Sequence, residues 1–497
     1  MSKKTLSDWL KLSNSLLFPR HAFINGKSIP ALSAKTAPCI NPADGKVLTE
    51  VADCAPEDAD IAIDIAQKRF ESGVWAEQSP VQRKNVLLRW ADLIEQHSDE
   101  LALLESLNAG KPISDTLHVD VPGAINTLRW TAEAIDKVYE QVAPTSHNTL
   151  ALVTRLPLGV ILAIVPWNFP LSTTLWKLAP ALATGNSVIL KPDPKTPLTA
   201  LRIAQLATEA GLPDGVLNVL PGDGITLGRY LSLHPGIDGQ TFTGSTAVGK
   251  LLTQYSGQSN LKRTFLELGG KSANIIFADA NLEKAAEMAA LAGFYNSGQT
   301  CTAGTRLLIE ESIHDQFLEM VLAKAKHWVP GNPLDPSSTM GAVIDQKQLD
   351  NIQRYIAIGK AEGARLVHGG EVVPTTGGGF YHQATIFADV DNSMRIAQEE
   401  IFGPVISVIR FKDMADAIRI ANDSPYGLAG AVWSRNINTA HKVAAAVRTG
   451  TMGINNYFGG DMTVPFGGFK ESGNGRDKSL HAMDDYTELK TPWIEFE

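Results

Sequence analysis

The chain has 497 residues and a net charge of −9, with 44% hydrophobic and 20% charged residues. This is the composition of a soluble globular protein that is too long for a single core. The acidic balance leaves no basic face for nucleic acid or an anionic membrane. The three cysteines, Cys39, Cys54 and Cys301, are too far apart for a zinc cluster or a disulfide framework. Free thiols favour the cytoplasm, and neither a signal peptide nor a metal site is expected.

The first third of the chain predicts a short β segment followed by a helical layer. Residues 1–20 predict a short helix and an entry arm, and Asn25-Gly26 is a hairpin signal. Apolar spacing predicts the helices that follow, at 56–70, 80–97, 99–109 and 122–138.

From about residue 150, continuous apolar strands alternate with helices. This alternation predicts a parallel sheet covered by helices, which binds dinucleotides at the carboxyl ends of its strands. The predicted strands are 152–155, 160–165, 187–190, 216–220 and 239–242, and the predicted helices are 175–184, 198–210 and one that begins at Thr246.

A second alternation begins at residue 272 and predicts another α/β domain. The tail, residues 488–496, alternates apolar and polar residues and has no obvious local strand partner. We therefore expect it to add to a sheet of a neighbouring subunit. The other predicted elements are strands at 272–277, 401–411 and 453–456 and helices at 282–296, 313–326 and 414–423.

The stretch 295–304 holds Cys301 between Gly298 and Gly304. Most free cysteines are buried small hydrophobes, which is the plain interpretation. The polar, glycine-containing approach favours a nucleophile instead, with nearby donors that lower the pKa of the thiol. The local sequence leaves both interpretations open.

Two turns have a possible binding role. The segment 244–251 follows a strand and opens a helix, so its amides can receive a pyrophosphate, although Leu251 replaces the Ser or Thr of an ATP loop. An ordinary glycine turn explains it equally well. In the segment 166–170, two prolines bracket Asn168, whose amide is placed to donate to an oxyanion. A turn with a capping asparagine is the alternative.

Two carboxylates stand in apolar surroundings. Glu267 lies between leucines, where desolvation raises a pKa and suits the group to general base catalysis, although a lone Glu is usually an exposed strand residue. Glu400 and Phe402 are two residues apart, so in an extended segment they face the same side, where they could hold a ribose and a flat ring.

Together these segments resemble the aldehyde dehydrogenase superfamily over essentially the whole chain. The resemblance rests on segments 266–271 and 298–301, whose Glu267 and Cys301 are 34 residues apart, and on segments 166–170 and 400–404. It implies an α/β fold with three parts. These are a Rossmann-like parallel-sheet cofactor domain (1–142 and 159–269), a second α/β catalytic domain (270–470) and a small β oligomerisation element (143–158 and 471–497).

The resemblance also implies residue roles. Cys301 would attack the aldehyde to give a thiohemiacetal and then a thioester. Asn168 and the Cys301 amide would hold the oxyanion, and Glu267 would activate the hydrolytic water. Lys191 and Glu400 would hold the two riboses. The other implied contacts of NAD or NADP are Val165, Trp167, Gly224, Gly244, Ser245, Leu268, Gln348 and Phe402.

One departure concerns the choice between NAD and NADP. Members that favour NAD often carry a Glu three residues after the ribose lysine, and this chain has Pro194 there, beside Asp193. A missing carboxylate tolerates a 2′-phosphate. The expected cofactor is NAD or NADP, with NAD slightly favoured.

Within the family, the chain resembles bacterial polyamine-pathway members that oxidise 4-(γ-glutamylamino)butanal, 4-guanidinobutanal or related aminoaldehydes. Segments 120–124, 461–470 and 472–481 carry this likeness. Gly123 and Gly460 stand where many relatives have bulky side chains, which implies a wider entrance. The implied substrate-pocket residues are Phe169, Trp176, Asp120 and Asp461, the two aspartates meeting a cationic or amide-bearing tail.

Two other functions stay open. A thiol hydrolase or acyltransferase would use Cys301 without redox chemistry, but the cofactor-type residues argue against it. A non-catalytic structural relative would not need Cys301, Glu267 and Asn168 together. The resemblance implies a cytoplasmic homotetramer that takes a small-molecule aldehyde, with no nucleic-acid or membrane partner.

Overall fold

The protein is described as a computed structural model that covers residues 4–375 and 377–497. Its helices are α1 (Leu6–Ser15), α2 (Pro56–Glu71), α3 (Pro80–Gln96), α4 (Ser98–Ala109), α5 (Ile113–Asp115), α6 (Val121–Ala134), α7 (Pro170–Ala183), α8 (Leu198–Glu209), α9 (Arg229–Leu233), α10 (Thr246–Gln258), α11 (Leu282–Phe294), α12 (His314–Ala325), α13 (Gln346–Ala361), α14 (Arg395–Gln398), α15 (Met414–Asn422), α16 (Ile437–Ala446) and α17 (His481–Asp484).

The strands are short and fall into separate sheets. They are β1 (Ala22–Ile24), β2 (Lys27–Ile29), β3 (Thr36–Ile40), β4 (Val47–Ala52), β5 (Gln141–Ala143), β6 (Thr149–Pro157), β7 (Val160–Ile164), β8 (Ser187–Lys191), β9 (Leu217–Val219), β10 (Gly239–Thr243), β11 (Arg263–Glu267), β12 (Ala273–Ile276), β13 (Arg306–Glu310), β14 (Arg365–His368), β15 (Thr385–Ala388), β16 (Val405–Phe411), β17 (Tyr426–Gly427), β18 (Ala429–Trp433), β19 (Thr451–Ile454), β20 (Phe469–Lys470), β21 (Thr487–Lys490) and β22 (Trp493–Glu495).

The first sheet has the strand order β11-β10-β7-β8-β9-β1-β2. Strands β7 to β11 run parallel, and the N-terminal hairpin β1–β2 adds an antiparallel edge. The residues of β8 are all buried because helices cover both faces of the sheet. The predicted dinucleotide-type sheet is therefore present, but the strand predicted at 152–155 is not part of it: this segment lies in β6, which pairs antiparallel with the C-terminal strands.

The second sheet has the order β14-β15-β16-β13-β12-β18-β19 and is parallel except for β14. Apolar side chains on its two faces form separate clusters with the helices that pack there. The prediction of a second α/β alternation is confirmed. The chain passes from the first sheet to the second through residues 268–272, between β11 and β12.

The third sheet corrects one expectation. The C-terminal strands β21 and β22 both pair antiparallel with β6, and β5 also pairs with β6. The tail therefore has a strand partner within its own chain, 336 residues away at the Thr154–Lys490 contact. Spacing along the sequence could not reveal this long-range pairing.

A second correction concerns α7, which begins at Pro170 and not near residue 175. Proline is well placed at the first helical position because its fixed φ suits a helix and its missing N–H costs nothing there. Asn168 consequently lies directly before the helix. Within the described residues, no helix has both the length and the apolar character needed to cross a membrane.

Candidate active site

Cys301 follows a turn of unusual backbone conformation at the end of α11. Asn296, Ser297 and Gly298 have φ values of 51°, 55° and 70°, so three successive residues are left-handed. Ser297 Oγ donates to the Gly341 carbonyl at 3.0 Å, and the Gln299 side-chain oxygen accepts from the Ile344 amide at 2.9 Å. These bonds hold a conformation that non-glycine residues rarely adopt.

The two glycines that flank Cys301 serve packing. A Cβ on Gly298 would stand 2.2 Å from the carbonyl carbon of Gly403. A Cβ on Gly304 would stand 2.9 Å from the Tyr457 ring. Glycine is required at both positions because neighbouring atoms approach its Cα too closely to leave room for a side chain.

The Cys301 thiol is partly buried, and its surroundings oppose ionisation. Burial raises its pKa to about 12, and the nearby carboxylates of Glu400 and Glu267 add to this effect. The sequence-based expectation of a lowered pKa is therefore wrong for this conformation. A proton acceptor must take the thiol proton when the sulfur attacks.

Asn168 lies beside the Cys301 turn, as the resemblance requires. Its Nδ2 donates to the Gln299 carbonyl at 2.9 Å, and Asn296 Nδ2 donates back to the Asn168 carbonyl at 3.1 Å. Glu105 accepts a hydrogen bond from the Leu171 amide at 3.0 Å, in the first turn of α7. The side-chain amide of Asn168 is thus held by the Gln299 carbonyl through one N–H, and its second N–H is left to donate.

Glu267 ends β11 with a buried carboxyl group. The residue is 2% exposed, and neither carboxyl oxygen has a hydrogen-bond partner within the described residues. Burial raises its pKa well above the usual value, and Asp477 raises it further. The desolvation expected from the flanking leucines is observed.

A buried ion pair lies next to Glu267 and was missed from the sequence. Lys177 Nζ is 2.7 Å from Asp477 Oδ2, and both side chains are almost completely buried. Lys177 lowers the pKa of Glu267, which partly offsets the effect of Asp477. The partners are 300 residues apart, so no local pattern signals the pair.

The cleft at the carboxyl ends of β8 and β10 has the features of a dinucleotide site. Ser245 is the N-cap of α10, so the first amides of that helix face an exposed edge. Gly224 has open space where a Cβ would stand. Lys191 Nζ is buried and donates to the adjacent Pro192 carbonyl, and burial lowers its pKa. Its other donors fit a hydroxyl-rich, anionic ligand.

Other predicted cofactor residues line or support this cleft. Val165 donates its amide to the Lys191 carbonyl, and Leu268 fills the space beside Gly249, where an added Cβ would stand 2.6 Å from it. Gly244 donates its amide to the Glu267 carbonyl at 3.0 Å, which ties the phosphate-type turn to the end of β11.

Glu400 and Phe402 lie at the side of the cleft nearer Cys301. Glu400 Oε1 accepts from the Gly270 amide at 3.0 Å, and burial raises the pKa of Glu400 to about 7. Phe402 has φ 56° and packs edge-on against Trp167, with ring centres 5.2 Å apart. The sequence had indicated an extended segment at Glu400 and Phe402, and the left-handed backbone of Phe402 corrects that expectation. Gln348 Nε2 holds it by donating to the Ile401 and Phe402 carbonyls.

Aromatic rings cluster beside the turn that precedes Cys301, where Tyr295 lies. Phe169 stacks on Tyr295, and Tyr295 contacts Phe458 at 6.0 Å between centres. Trp176 and Phe466 form a second pair at 5.2 Å. Tyr295, Phe458 and Phe466 were missed because a single aromatic residue in a turn carries no distinguishing signal.

Asp120 and Asp461 occupy very different environments. Asp120 is 1% exposed and lies 2.6 Å from Lys111 Nζ, which itself sits 3.7 Å above the Phe169 ring. It is therefore paired inside the protein and not open to a substrate tail, which corrects the expectation. Asp461 is exposed, and its Oδ1 accepts from the Thr463 amide and hydroxyl.

No three metal-ligating side chains in residues 4–375 and 377–497 are grouped to hold a metal ion.

A parallel-sheet cleft that opens toward a cysteine, an asparagine and a buried carboxyl group is the arrangement of a dinucleotide-dependent oxidoreductase. The chain belongs to the aldehyde dehydrogenase family, whose model matches residues 29–492. Members of this family are oxidoreductases acting on aldehydes, and NAD or NADP is their cofactor.

Individual relatives cover the whole chain. It is 51% identical over 493 residues to the NADP/NAD-dependent aldehyde dehydrogenase PuuC of Escherichia coli K12. The aligned region covers 99% of each of the two chains. A γ-glutamyl-γ-aminobutyraldehyde dehydrogenase from Burkholderia cenocepacia is 55% identical with a TM-score of 0.98, covering 99% of this chain and all of the other. An indole-3-acetaldehyde dehydrogenase of P. syringae, solved with NAD+, is 55% identical with a TM-score of 0.99 and the same coverage.

Proposed function

We propose that the protein oxidises an aminoaldehyde of polyamine catabolism, first of all 4-(γ-glutamylamino)butanal, to the carboxylic acid. The observation that carries the chemistry is the placement of a partly accessible Cys301 beside the Asn168 amide, with the unpartnered Glu267 carboxyl group within electrostatic reach. The relatives named for γ-glutamyl-γ-aminobutyraldehyde support the substrate.

In this mechanism the Cys301 thiol releases its proton to solvent, the sulfur bonds to the aldehyde carbon, and the broken C=O π bond leaves the oxyanion of a thiohemiacetal. Asn168 and the Cys301 amide hold the oxyanion. The bound nicotinamide supplies the hydride acceptor. The resulting thioester on Cys301 is hydrolysed by a water whose proton passes to Glu267, a base whose pKa is raised above its usual value by burial. The Glu267 side chain lies against Gly467, where an added Cβ would stand 2.6 Å from its Oε1.

Either dinucleotide fits the ribose end of the cleft. Pro194 is exposed, and Asp193 Oδ1 is occupied by the Lys195 amide at 3.0 Å. No carboxylate at position 194 therefore repels a 2′-phosphate. Pro194→Glu should lower the ratio of kcat/KM with NADP to that with NAD, and an unchanged ratio would contradict this role for the position.

The experiment that tests the function is a panel of aldehydes with NAD+ and NADP+, followed by absorbance at the wavelength of the reduced cofactor. The panel includes 4-(γ-glutamylamino)butanal, 4-guanidinobutanal, 4-aminobutanal and hexanal. If no aldehyde of the panel gives reduced cofactor with either NAD+ or NADP+, the proposal is wrong. The thiol hydrolase and the non-catalytic relative would then remain as alternatives. Thioester hydrolysis without dinucleotide would identify the hydrolase.

A second substrate class is favoured by the rings of Phe169, Tyr295 and Phe458. An aromatic aldehyde would stack on them, and one similar structure is named for indole-3-acetaldehyde. The panel therefore includes indole-3-acetaldehyde. A kcat/KM above that of the γ-glutamyl substrate would make it the preferred class.

Asp461 is proposed to contact the substrate tail. Asp461→Asn should raise the ratio of KM for the aminoaldehyde to KM for hexanal. Asp391→Asn is the matched control, because Asp391 is exposed and accepts from Ser393 in the same way that Asp461 accepts from Thr463. An unchanged ratio in Asp461→Asn would remove Asp461 from the pocket.

The same proposal includes the domain boundaries given above and a cytoplasmic homotetramer. The third sheet, formed by β5, β6, β21 and β22, exposes apolar side chains, with Val142 at 68% and Trp493 at 61% exposure. Exposed apolar surfaces of this kind favour association between subunits. The free cysteines support a reducing compartment. Light scattering of the purified chain tests the assembly, and a monomer would contradict it.

A further inference from the structure

Lys478 occupies a position that the reaction itself does not explain. It directly follows Asp477, and the backbone turns sharply because Lys478 and Ser479 have φ values of 61° and 51°. The Ser479 amide donates to the Met462 carbonyl at 2.9 Å, which fixes the turn against the loop that carries Asp461. The side chain is directed toward the pocket by backbone that costs energy to adopt.

The Lys478 ammonium lies over the aromatic rings of the expected substrate pocket. Its Nζ is 4.5 Å from the centre of the Trp176 ring and 5.5 Å from that of Phe466. Burial lowers its pKa, and Asp477, Asp461 and Cys301 act in the opposite direction. Asp477 and Asp461 are therefore the carboxylates that act on the ammonium.

This cation has no ionic partner in the described part of the chain, where no carboxylate oxygen lies within 4.0 Å of its Nζ. Asp477 is bound to Lys177. Asp461 offers one oxygen to Thr463, and its other oxygen makes no hydrogen bond among the described residues. A partly buried, unpaired ammonium is costly unless something neutralises it.

Lysines over tryptophan rings need not bind anything. Lys284 lies 5.9 Å from the centre of the Trp433 ring, but it is exposed and donates to the Asn455 carbonyl at 3.1 Å. Lys478 differs because it is partly buried, makes no such bond among the described residues and shares a pocket wall with an exposed carboxylate.

We propose that Lys478 binds a carboxylate on the tail of the substrate, while Asp461 faces an ammonium group on the same tail. The two opposite charges, unpaired with one another, match an α-amino-acid head such as that of a γ-glutamyl group. This inference rests on the proposed function and narrows it: the pocket selects a zwitterionic tail over a purely cationic one.

The test compares three aldehydes of similar length with variants at Lys478. They are 4-(γ-glutamylamino)butanal, its glutaryl analogue without the ammonium, and its 4-aminobutanoyl analogue without the carboxylate. Lys478→Gln should raise KM about tenfold for the first two, less than twofold for the third, and leave kcat unchanged. Lys478→Arg should restore KM, and Lys284→Gln should behave as the wild type.

Equal changes of KM for all three aldehydes, or no change for any, would overturn the inference. Binding of N5-butylglutamine, which has the same head and no aldehyde, is measured by calorimetry in the wild type and in Lys478→Gln. A tenfold weaker affinity in the variant supports the carboxylate site even if no aldehyde is oxidised, so failure of the proposed function is distinguishable. If Lys478→Gln does not fold, N5-butylglutamine and its descarboxy analogue are compared on the wild type, and equal affinities would overturn the site.

Discussion

The side chain of Asn168 donates a hydrogen bond of 2.9 Å to the carbonyl oxygen of Gln299, two residues before Cys301. The bond joins positions that are 131 residues apart. It links the segment after β7, a strand of the first sheet, to the turn after α11, a helix that follows strand β12 of the second sheet. The Asn168 amide and the Cys301 sulfur are therefore positioned together, and a shift of one sheet against the other would separate them.

Replacing Asn168 should affect catalysis far more than folding. Asn168→Ala removes the proposed oxyanion donor, and kcat/KM should fall by about 10²- to 10³-fold. Steady-state kinetics checks this, and the thermal midpoint reports folding. Asn260→Ala is the control, because Asn260 also donates to backbone carbonyls but lies at an exposed site. A loss below about threefold would contradict the role.

Alkylation should be confined to Cys301 and should be slow at neutral pH. Cys39 and Cys54 are buried, whereas Cys301 is partly accessible, and its pKa is raised to about 12 by burial and by two carboxylates. The rate of iodoacetamide incorporation, measured by mass spectrometry, should still be rising at pH 9 because only the thiolate reacts. Cys301→Ala should abolish incorporation into the native protein. A rate that levels off below pH 8 would contradict the raised pKa.

Glu400 should make the free protein less stable as the pH rises. Burial raises its pKa to about 7, so between its usual pKa and pH 7 the folded state holds a proton that the unfolded state has lost. The free energy of unfolding therefore falls with pH over this range. Glu400→Gln should raise it at pH 8 by up to about 3 kcal/mol relative to the wild type, with little difference at pH 4.

The neighbouring Glu399 provides a control of opposite sign. A hydrogen bond from Arg395 lowers its pKa, so its stabilisation is present above its usual pKa and is lost on acidification. Glu399→Gln should lower the thermal midpoint at pH 8, and the difference should disappear at low pH. Equal behaviour of the two variants would contradict the assignment.

The buried Lys177–Asp477 pair should be costly to break from one side. Asp477→Asn leaves the Lys177 ammonium buried without its counter-charge, so urea denaturation should show a loss of about 3–5 kcal/mol. The double variant Lys177→Met/Asp477→Leu should lose less, because neither charge remains. A double variant as unstable as the single one would show that the pair itself is strongly stabilising.

Local signals in the sequence predicted many elements well. The strand expected at 187–190 is β8 (Ser187–Lys191), and the helix expected at 198–210 is α8 (Leu198–Glu209). Strand β8 is buried at every residue, whereas α8 leaves Arg202, Gln205 and Glu209 less buried at helical spacing, and apolar periodicity detects both patterns. The start of α7 was misplaced because Pro170 was assigned to a turn, although proline is equally typical of a first helical position.

Features that depend on the folded geometry could not be predicted. Asp120 lies close to pocket residues in the resemblance, but its charge is matched by Lys111 inside the protein. The pKa of Cys301 depends on Glu400, which is 99 positions further along the chain. The roles of Cys301, Glu267 and Asn168 stay predictions, and the Asn168→Ala variant tests the last of them.

The edge of β11 has a consequence for the order of synthesis. Leu266 and Leu268 on this edge bond to Asn474, Gly475 and Ser472, so the strand that carries Glu267 receives its last neighbours from near the C-terminus. A ribosome must therefore make almost the entire chain before the pocket around Glu267 can close. An incomplete chain that already contains Cys301 would lack a finished pocket around Glu267, the proposed hydrolytic base, so we expect a prematurely terminated product not to turn over.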